Sequence, residues 1–372
     1  MLLLKVQSGQ AILGVKMQNT EQAAPPSNGL SDAELKQLKD LQRANSLIQN
    51  HNVLVDHMYT ADPSAHVFNG KVYIYPSHDI ESKNEINDNG DHFAMRDYHV
   101  FSLDESSGKA IDHGVALCVD DVKWASKQMW APDAAYKLGR YYLYFPARDQ
   151  QGIFRIGVAK SDNPTGPFKA EDDYIQGTFS IDPAVFEDDD SSHYLYFGGL
   201  WGGQLQNWQT SEFNEQSTYP KNGEPAIPAR VAKLSEDMIS LSEDVKEVVV
   251  LDESGSPITV CDNNRRFFEG PWVHKHNGVY YFSYSTGDTH KIVYATGDNP
   301  YGPFTYQGVI LNPVLGWTTH HSIVKHNGDW FLFYHDSTLS GGQTHLRSIK
   351  MAKLEHDSNG KIQTISPYEH AK

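Results

Sequence analysis

The feature that most constrains the fold of this chain is a strand-and-turn unit that recurs five times between residues 68 and 336. Each copy places an apolar and aromatic strand after a polar turn, as in FNGKVYIYPSHD at 68–79. Taking one aromatic residue of each copy as equivalent gives anchors separated by 69, 52, 87 and 50 residues: Tyr73, Tyr142, Tyr194, Tyr281 and Phe331. Repeats of about 50 residues or more, built from strands and tight turns, are typical of propeller blades. The sequence therefore predicts an all-β fold, a five-bladed β-propeller.

A second repeated element supports the same fold. The segment SDNPTGPF at 161–168 matches GDNPYGPF at 297–304 at six of eight positions. The two copies follow their tyrosine anchors by similar distances, 19 and 16 residues. A β-sandwich would also be rich in strands, but it would not produce this self-similarity.

The N-terminal part of the chain has a different pattern. Residues 1–30 are predicted to be a flexible segment, because 18–30 is polar and contains prolines. Ser31 and Glu34 form a capping-box pattern before a leucine-rich stretch, which predicts a helix over 31–51, packed on the outside of the propeller. The propeller is expected to occupy 52–372. The first residues make a poor signal peptide, since polar residues break the apolar patches. This favours a cytoplasmic location, or a chain given without its secretion signal.

The charge balance limits the class of ligand. The chain has 47 acidic and 31 basic residues and a formal net charge of −16. Binding to nucleic acid needs a basic stripe, so no nucleic-acid partner is expected. No apolar run is long enough to span a bilayer, so no membrane partner is expected either. An uncharged ligand such as a sugar remains compatible with this composition, and nothing in the pattern indicates an oligomeric state.

The five anchors also locate a candidate site. The first strand of a propeller blade lines the central axis, so equivalent positions at its start meet at one rim. Counting back 11 residues from each anchor gives Asp62, Ala131, Pro183, Gly270 and His320. Allowing one residue of variation in turn length brings Asp182 and Glu269 to the same rim. Charged groups at one layer of an axis are costly unless they serve function.

Motifs around these positions occur in order and with consistent spacing. They are ADPSAHVFNGKVYIYPSHD (61–79), MWAPDAAY (129–136), SIDPAVFEDDD (180–190), FEGPWVHKHNGVYYFSYS (268–285) and HHSIVKHNGDWFLFYHD (320–336). In these motifs the chain resembles glycoside hydrolase family 43, whose arabinofuranosidases, xylosidases and arabinanases share a five-bladed propeller. The resemblance covers residues 52–366.

The resemblance implies a role for each acidic residue at the rim. Asp62 corresponds to the general base, Glu269 to the general acid, and Asp182 to the group that orients Glu269 and raises its pKa. An inverting glycosidase needs two carboxyl groups roughly 6.5–9.5 Å apart, so that a water molecule fits between base and sugar. Taken singly, Asp62 and Asp182 would also fit Asp-Pro turns. Their shared register across blades favours the functional interpretation.

Other residues have two interpretations each. The resemblance implies that His320 binds a cation in the pore, usually Ca²⁺, directly or through water; the alternative is a hydrogen-bonded core histidine. Trp130 is similar to a tryptophan that contacts the sugar, and Arg347 to an arginine that binds sugar hydroxyls. Core packing and an exposed strand end are their respective alternatives. Trp201, on a glycine-rich loop, is a candidate for an outer subsite because an aromatic face packs against sugar C–H groups.

Together these features predict an inverting glycoside hydrolase without an organic cofactor. It is expected to remove xylose or arabinofuranose units from xylan- or arabinan-derived saccharides, as a β-xylosidase or α-L-arabinofuranosidase, with plant cell-wall saccharides as substrate. One alternative is an endo-acting arabinanase or xylanase of the same fold. Another is a non-catalytic carbohydrate-binding propeller, which would not need three rim carboxylates. Loops at 79–98 and 200–228 are long enough to close one side of the funnel, which favours a pocket.

Overall fold

The structure is a computed structural model that describes residues 2–7, 10–15, 51, 53–210, 212–287 and 289–368. Its first element is an antiparallel hairpin of β1 (Leu2–Gln7) and β2 (Gln10–Val15). The segment predicted to be flexible therefore contains paired strands, because its apolar runs are short but of strand length. The helix predicted over 31–51 lies outside the described residues, apart from His51. No helix in the described ranges is long and apolar enough to cross a membrane.

Five sheets form the blades of the propeller. Blade 1 contains β3 (Tyr59–Phe68), β4 (Lys71–Asp79), β5 (Asp97–Asp104) and β6 (Lys109–Cys118). Blade 2 contains β7 (Ala125–Lys127), β8 (Asp133–Lys137), β9 (Arg140–Asp149), β10 (Phe154–Ser161) and β11 (Lys169–Ala170). Blade 3 contains β12 (Ala184–Glu187), β13 (His193–Phe197), β14 (Ala229–Lys233) and β15 (Lys246–Val248).

The last two blades complete the ring. Blade 4 contains β16 (Val250–Leu251), β17 (Phe267–His276), β18 (Val279–Thr286), β19 (Ile292–Gly297) and β20 (Phe304–Leu311). Blade 5 contains β21 (His321–His326), β22 (Asp329–Asp336) and β23 (Ser348–Leu354). Short 3₁₀ helices lie at Val119–Asp121, Trp201–Gly203 and Leu205–Asn207. The five-bladed propeller predicted from the repeat is confirmed.

The five aromatic anchors are structurally equivalent. Each lies in the strand that pairs with the innermost strand of its blade: Tyr73 in β4, Tyr142 in β9, Tyr194 in β13, Tyr281 in β18 and Phe331 in β22. The middle strands are buried on both faces because each blade packs between two neighbours, as the patterns of β9 and β18 show. The sequence repeat therefore arises because each blade packs against the next through equivalent aromatic residues.

The ring is closed by residues from both ends of the propeller. Val53 forms an antiparallel bridge with Lys350 of β23, and the Leu54 amide donates to the Ile349 carbonyl at 2.9 Å. The amide of Ala110 in turn donates to the Leu54 carbonyl at 3.0 Å, which ties this segment to blade 1. The side chain of Leu54 is buried beside blades 1 and 5. Chain segments from before blade 1 and from blade 5 thus share one sheet edge.

Candidate active site

A pocket of about 250 Å³ lies where the innermost strands of the blades begin. All five rim positions predicted from the repeat contribute to its lining, once the two shifts by one residue are applied: Asp62, Ala131, Asp182, Glu269 and His320. The predicted substrate-binding residues also line it: Trp130, Trp201 and Arg347. The sequence register therefore brings the candidate residues to one cavity.

The backbone is irregular where the acidic side chains enter the pocket. The pairing of β3 with β4 shifts register between Ala61 and Ser64, and Asp62 has a φ of 50°. The pairing of β17 with β18 shifts on both sides of Glu269, and Asp182, just before β12, has a φ of 58°. Bulges re-aim side chains next to active sites. Here they turn carboxyl groups that would otherwise follow the regular strand alternation.

Asp62 is buried and strongly hydrogen-bonded. Ser77 donates its hydroxyl to Oδ2 at 2.6 Å, and Nη1 of Arg347 donates to Oδ1 at 3.0 Å. Burial alone would raise the pKa of Asp62, but the adjacent Arg347 guanidinium brings it down to about 2. Asp62 is therefore ionised across the neutral range and can accept a proton.

Arg347 is held between two buried carboxylates. Nε and Nη2 each donate to Asp79 at 2.8 Å, and Nη1 donates both to Asp62 and to the Thr318 hydroxyl, the latter at 2.9 Å. The guanidinium also lies 4.9 Å from the centre of the Phe93 ring. Arg347 is only 3% exposed. Most of its donors are thus engaged with the protein, two of them with Asp79 and one with the candidate base Asp62.

His335 positions Asp62 without adding charge. The Asp62 amide donates to Nδ1 of His335 at 2.9 Å, and Nε2 of His335 donates to the Thr318 carbonyl at 3.0 Å. A ring that accepts at one nitrogen and donates at the other is neutral. Burial lowers the pKa of His335 to about 3, in agreement with this tautomer. The cation that stabilises the Asp62 carboxylate is therefore Arg347.

Asp182 and Glu269 form a second acidic pair. Oδ2 of Asp182 accepts a hydrogen bond from the amide of Gly270, the residue after Glu269, at 2.9 Å. Burial raises the pKa of Glu269 to about 8, and the charge of Asp62 acts in the same direction. Burial, followed by the charge of Glu269, likewise raises the pKa of Asp182. Because such groups titrate together, the pair retains a proton at neutral pH.

His320 lies between these two halves of the site. Its Nδ1 is 3.8 Å from Oδ1 of Asp62 and 3.7 Å from Oδ2 of Asp182. Gly270, which packs beside the His320 ring, has a φ of 63°, a left-handed conformation that favours glycine. Burial lowers the pKa of His320, which keeps the imidazole neutral.

A neutral imidazole between two carboxyl groups offers a nitrogen ligand beside two oxygen ligands. Calcium takes roughly six to eight ligands, mostly oxygen. His320, Asp62 and Asp182 would supply only part of such a shell, so the donor set fits a cation whose remaining ligands are mainly water. The predicted calcium contact of His320 stays a prediction.

Trp130 packs in the core and also lines the pocket, while its predicted contact with the sugar stays a prediction. Its indole Nε1 donates to the Phe93 carbonyl at 2.9 Å, and its ring centre lies 4.6 Å from that of Phe154. It belongs to a small core cluster with these residues, yet it also lines the pocket. Trp130 therefore forms a rigid wall of the site.

Two loops meet above one side of the pocket. Arg148 donates through Nη2 to the carbonyl and the side-chain oxygen of Asn89, both at 2.9 Å, and to the Gly202 carbonyl at 3.4 Å. These contacts fasten the loop after β4 to the loop after β13. A Cβ on Gly202 would come within 3.1 Å of the Asn89 backbone, so the loops touch closely. The two loops predicted to close the funnel do border the cavity.

Two tryptophans stand at the exposed part of the pocket. Trp201 is 37% exposed and stacks on Tyr219, with ring centres 5.0 Å apart. Trp317 is 39% exposed and contacts His290 edge-on at 4.6 Å. Large apolar rings at a pocket mouth suit the apolar faces of sugars. Trp317 was not predicted from the sequence.

Sequence reasoning also missed Asp79, His335, Phe93 and Thr318. A signal for two of them was present, since the motifs SHD at 77–79 and YHD at 334–336 end equivalent strands, β4 and β22. Nothing local marks Phe93 or Thr318, because both reach Arg347 from loops of different blades.

Comparison with known proteins identifies a family with this architecture. The family model described as glycosyl hydrolases family 43 matches residues 111–362. A xylosidase/arabinosidase 43A of Humicola insolens is 60% identical over 323 residues, covering 84% of this chain and 99% of the relative. A xylosidase/arabinosidase of Bacteroides ovatus is 58% identical over 313 residues, with coverage of 84% and 96%.

A solved structure is similarly close. It is a β-xylosidase/α-arabinofuranosidase from a compost microbial metagenome, in complex with xylotriose and in a calcium-free form. It is 62% identical, superposes with a TM-score of 0.85, and the match covers 87% of this chain and 99% of that one.

Proposed function

Because the chain belongs to glycoside hydrolase family 43, whose members are inverting glycosidases, we propose that it releases single xylose and arabinofuranose units from xylo- and arabino-oligosaccharides. The observation that carries this proposal is the electrostatic division of the pocket. One carboxylate, Asp62, is kept ionised by Arg347, while Glu269 keeps a proton to about pH 8. A base and an acid with separated pKa values are what a single-displacement hydrolysis needs.

The proposed reaction uses each group once. Asp62 takes a proton from a water molecule, which attacks the anomeric carbon on the face opposite the leaving group. Glu269 gives its proton to the glycosidic oxygen as the bond to the leaving sugar breaks. Asp182 holds the Gly270 amide and, by its proximity, disfavours ionisation of Glu269. The product sugar carries the inverted anomeric configuration.

The pocket shape supports removal of terminal units. The loops joined by Arg148 close one side of the cavity, while Trp201 and Trp317 remain exposed at its mouth. One sugar would occupy the buried end, and the following unit would pack on an exposed ring. Fragments of plant cell-wall xylan and arabinan are the substrates we propose on this basis.

A calcium ion is the second part of the proposal. His320 would hold it, with water completing most of the shell and with Asp62 and Asp182 nearby. Such an ion would supply positive charge that stabilises the clustered carboxylates.

The decisive experiment is a panel of aryl β-xylosides, aryl α-L-arabinofuranosides, xylo-oligosaccharides and arabino-oligosaccharides. Monosaccharide release from the oligosaccharides is expected, and proton NMR should show the inverted anomer as the first product. Internal cleavage of arabinan or xylan would favour the endo-acting alternative. Binding of the saccharide without release of any product would favour a carbohydrate-binding propeller, if the Asp62→Asn variant also binds it. A retained anomer would contradict the mechanism.

A further inference from the structure

We propose that blade 1 carries a second metal site, specific for a first-row transition ion such as Zn²⁺, formed by His78, Asp97 and His99. One ligand atom of each side chain lies within 4.8 Å of the other two. Among the residues that the structure describes, no other group of three or more His, Cys, Asp or Glu side chains has this spacing. The site is distinct from the catalytic pocket, and it is independent of the proposed hydrolase activity.

The strand geometry explains why these residues meet. Asp97 and His99 are two residues apart on β5, and both are half-buried while Tyr98 between them is buried, which places them on one face although the pairing of β5 with β6 shifts register at His99. Strand β4 pairs with β5 through Tyr73 with Ser102 and Ile74 with Phe101. Continuing this antiparallel register by four residues places His78 opposite Asp97. A cross-strand pair and an i,i+2 neighbour are thus supplied by rigid secondary structure.

A hydrogen bond between two of the proposed ligands occupies the position that the metal would take. Nδ1 of His78 donates to Oδ1 of Asp97 at 2.6 Å. Two ligands bound to a tetrahedral metal at about 2.1 Å stand roughly 3.4 Å apart, so the metal would require these atoms to separate by less than ~1 Å. Both side chains are about one-fifth to one-quarter exposed, which allows that movement and admits a water molecule as a fourth ligand. The metal would replace the proton between them.

The ring of His99 is held by a neighbouring carboxylate. Its Nδ1 donates to Asp112 at 2.9 Å, so Nε2 is the ring nitrogen left for a metal. Asp112 is itself fixed by the Gly114 amide at 2.7 Å. A carboxylate that accepts the second ring proton of a histidine orients it and increases its basicity as a ligand. Asp112 is therefore a positioning residue of the site.

The charges favour a cation. Among the described residues, Asp97 and Asp112 form their ion pairs with histidines only, and not with lysine or arginine. Two imidazoles and a carboxylate suit Zn²⁺ and its first-row neighbours, whereas Ca²⁺ and Mg²⁺ prefer oxygen alone.

The test is calorimetric titration of metal-free protein with Zn²⁺, comparing wild type with His99→Gln. Wild type is expected to bind one equivalent more than the variant. Asp112→Asn should keep the stoichiometry but weaken binding by about 10–100-fold. His113→Gln, on the same blade and bonded to Ser102 at 2.8 Å, is the matched control and should bind as wild type.

Co²⁺ gives a second readout, because its visible absorption reports nitrogen and oxygen ligands. The absorption band expected in wild type should be missing in His99→Gln and in Asp97→Asn. Two variants are used so that the test still stands if one of them does not keep the wild-type melting curve. Equal Zn²⁺ stoichiometry and affinity in wild type and His99→Gln would overturn the proposal. So would an equal loss in His113→Gln. Xyloside hydrolysis is measured separately, so a failure here does not affect the proposed activity.

Discussion

Two neighbouring residues of β4, His78 and Asp79, belong to two clusters that use the same side-chain types differently. Asp79 contacts Arg347, which lies between it and Asp62 at the catalytic pocket. His78 faces the other side of the sheet, where it meets Asp97. The pocket cluster contains the cation Arg347 and is almost fully buried. In the outer cluster the partners of the carboxylate are histidines, and the side chains are partly exposed.

The difference teaches how burial assigns function to a carboxylate. In the pocket, desolvation would neutralise Asp62 if the guanidinium did not offset it, so the protein must supply a permanent charge. The outer carboxylate of Asp97 is paired with a histidine and is partly exposed, so a metal ion from solvent can reach it. One cluster is therefore fixed for proton transfer, and the other is open to a ligand.

The largest expected effect comes from removing the base. Asp62→Ala should lower kcat by about 10²–10⁴-fold or more on every substrate, because no group then activates water. Asp62→Asn is the isosteric companion, and it keeps the acceptor for Ser77 while removing the charge. Steady-state kinetics on xylosides and arabinofuranosides give the result. Wild-type activity in either variant would exclude Asp62 as the base.

The acid should show a dependence on the leaving group. Glu269→Ala should lower turnover of xylobiose by about 10²–10⁴-fold. Aryl xylosides with acidic phenols should lose much less, since they depart without protonation. The two kcat/KM ratios, measured side by side, test this role. Equal losses on both substrates would refute the assignment of Glu269.

The pH dependence of wild-type activity follows from the difference in pKa between Asp62 and Glu269. Glu269 must be protonated, so kcat/KM should fall as the pH rises through about 8, the pKa of that residue. Asp62 must be ionised, and with a pKa of about 2 it remains so through mildly acidic conditions. In Arg347→Lys the ammonium cannot keep the contacts to both Asp79 and Asp62, so the acidic limb should move up by about one unit or more. An acidic limb at the wild-type position would mean that Arg347 does not set this pKa.

The smallest expected effect concerns calcium. Treatment with EGTA should lower the melting temperature by a few degrees, and Ca²⁺ should restore it while Zn²⁺ does not. His320→Asn should melt at the same temperature with and without the chelator. This comparison separates a pore cation from a metal on blade 1, because only the latter responds to His99→Gln. A wild-type melting temperature indifferent to EGTA and Ca²⁺ would argue against the pore ion.

The architecture and the position of the acids are predictable from the order of the amino acids. Five equivalent aromatic anchors are visible in the sequence because each blade packs against its neighbours in the same way. Counting back 11 residues from each anchor reaches the rim. The register of Asp62, Asp182 and Glu269 follows from that periodicity, so their convergence on one pocket could be predicted. Arg347 was also found, though its hydrogen bonds to Asp62 and Asp79 were not.

How the acids differ in protonation depends on contacts between blades. Whether a carboxyl group at the rim is base or acid depends on which cation and which desolvating groups reach it from other blades. Arg347 approaches Asp62 from 285 positions away, and no local pattern encodes that distance. The outer cluster shows the same limit, because His78 meets Asp97 only through the pairing of two strands separated by a long loop.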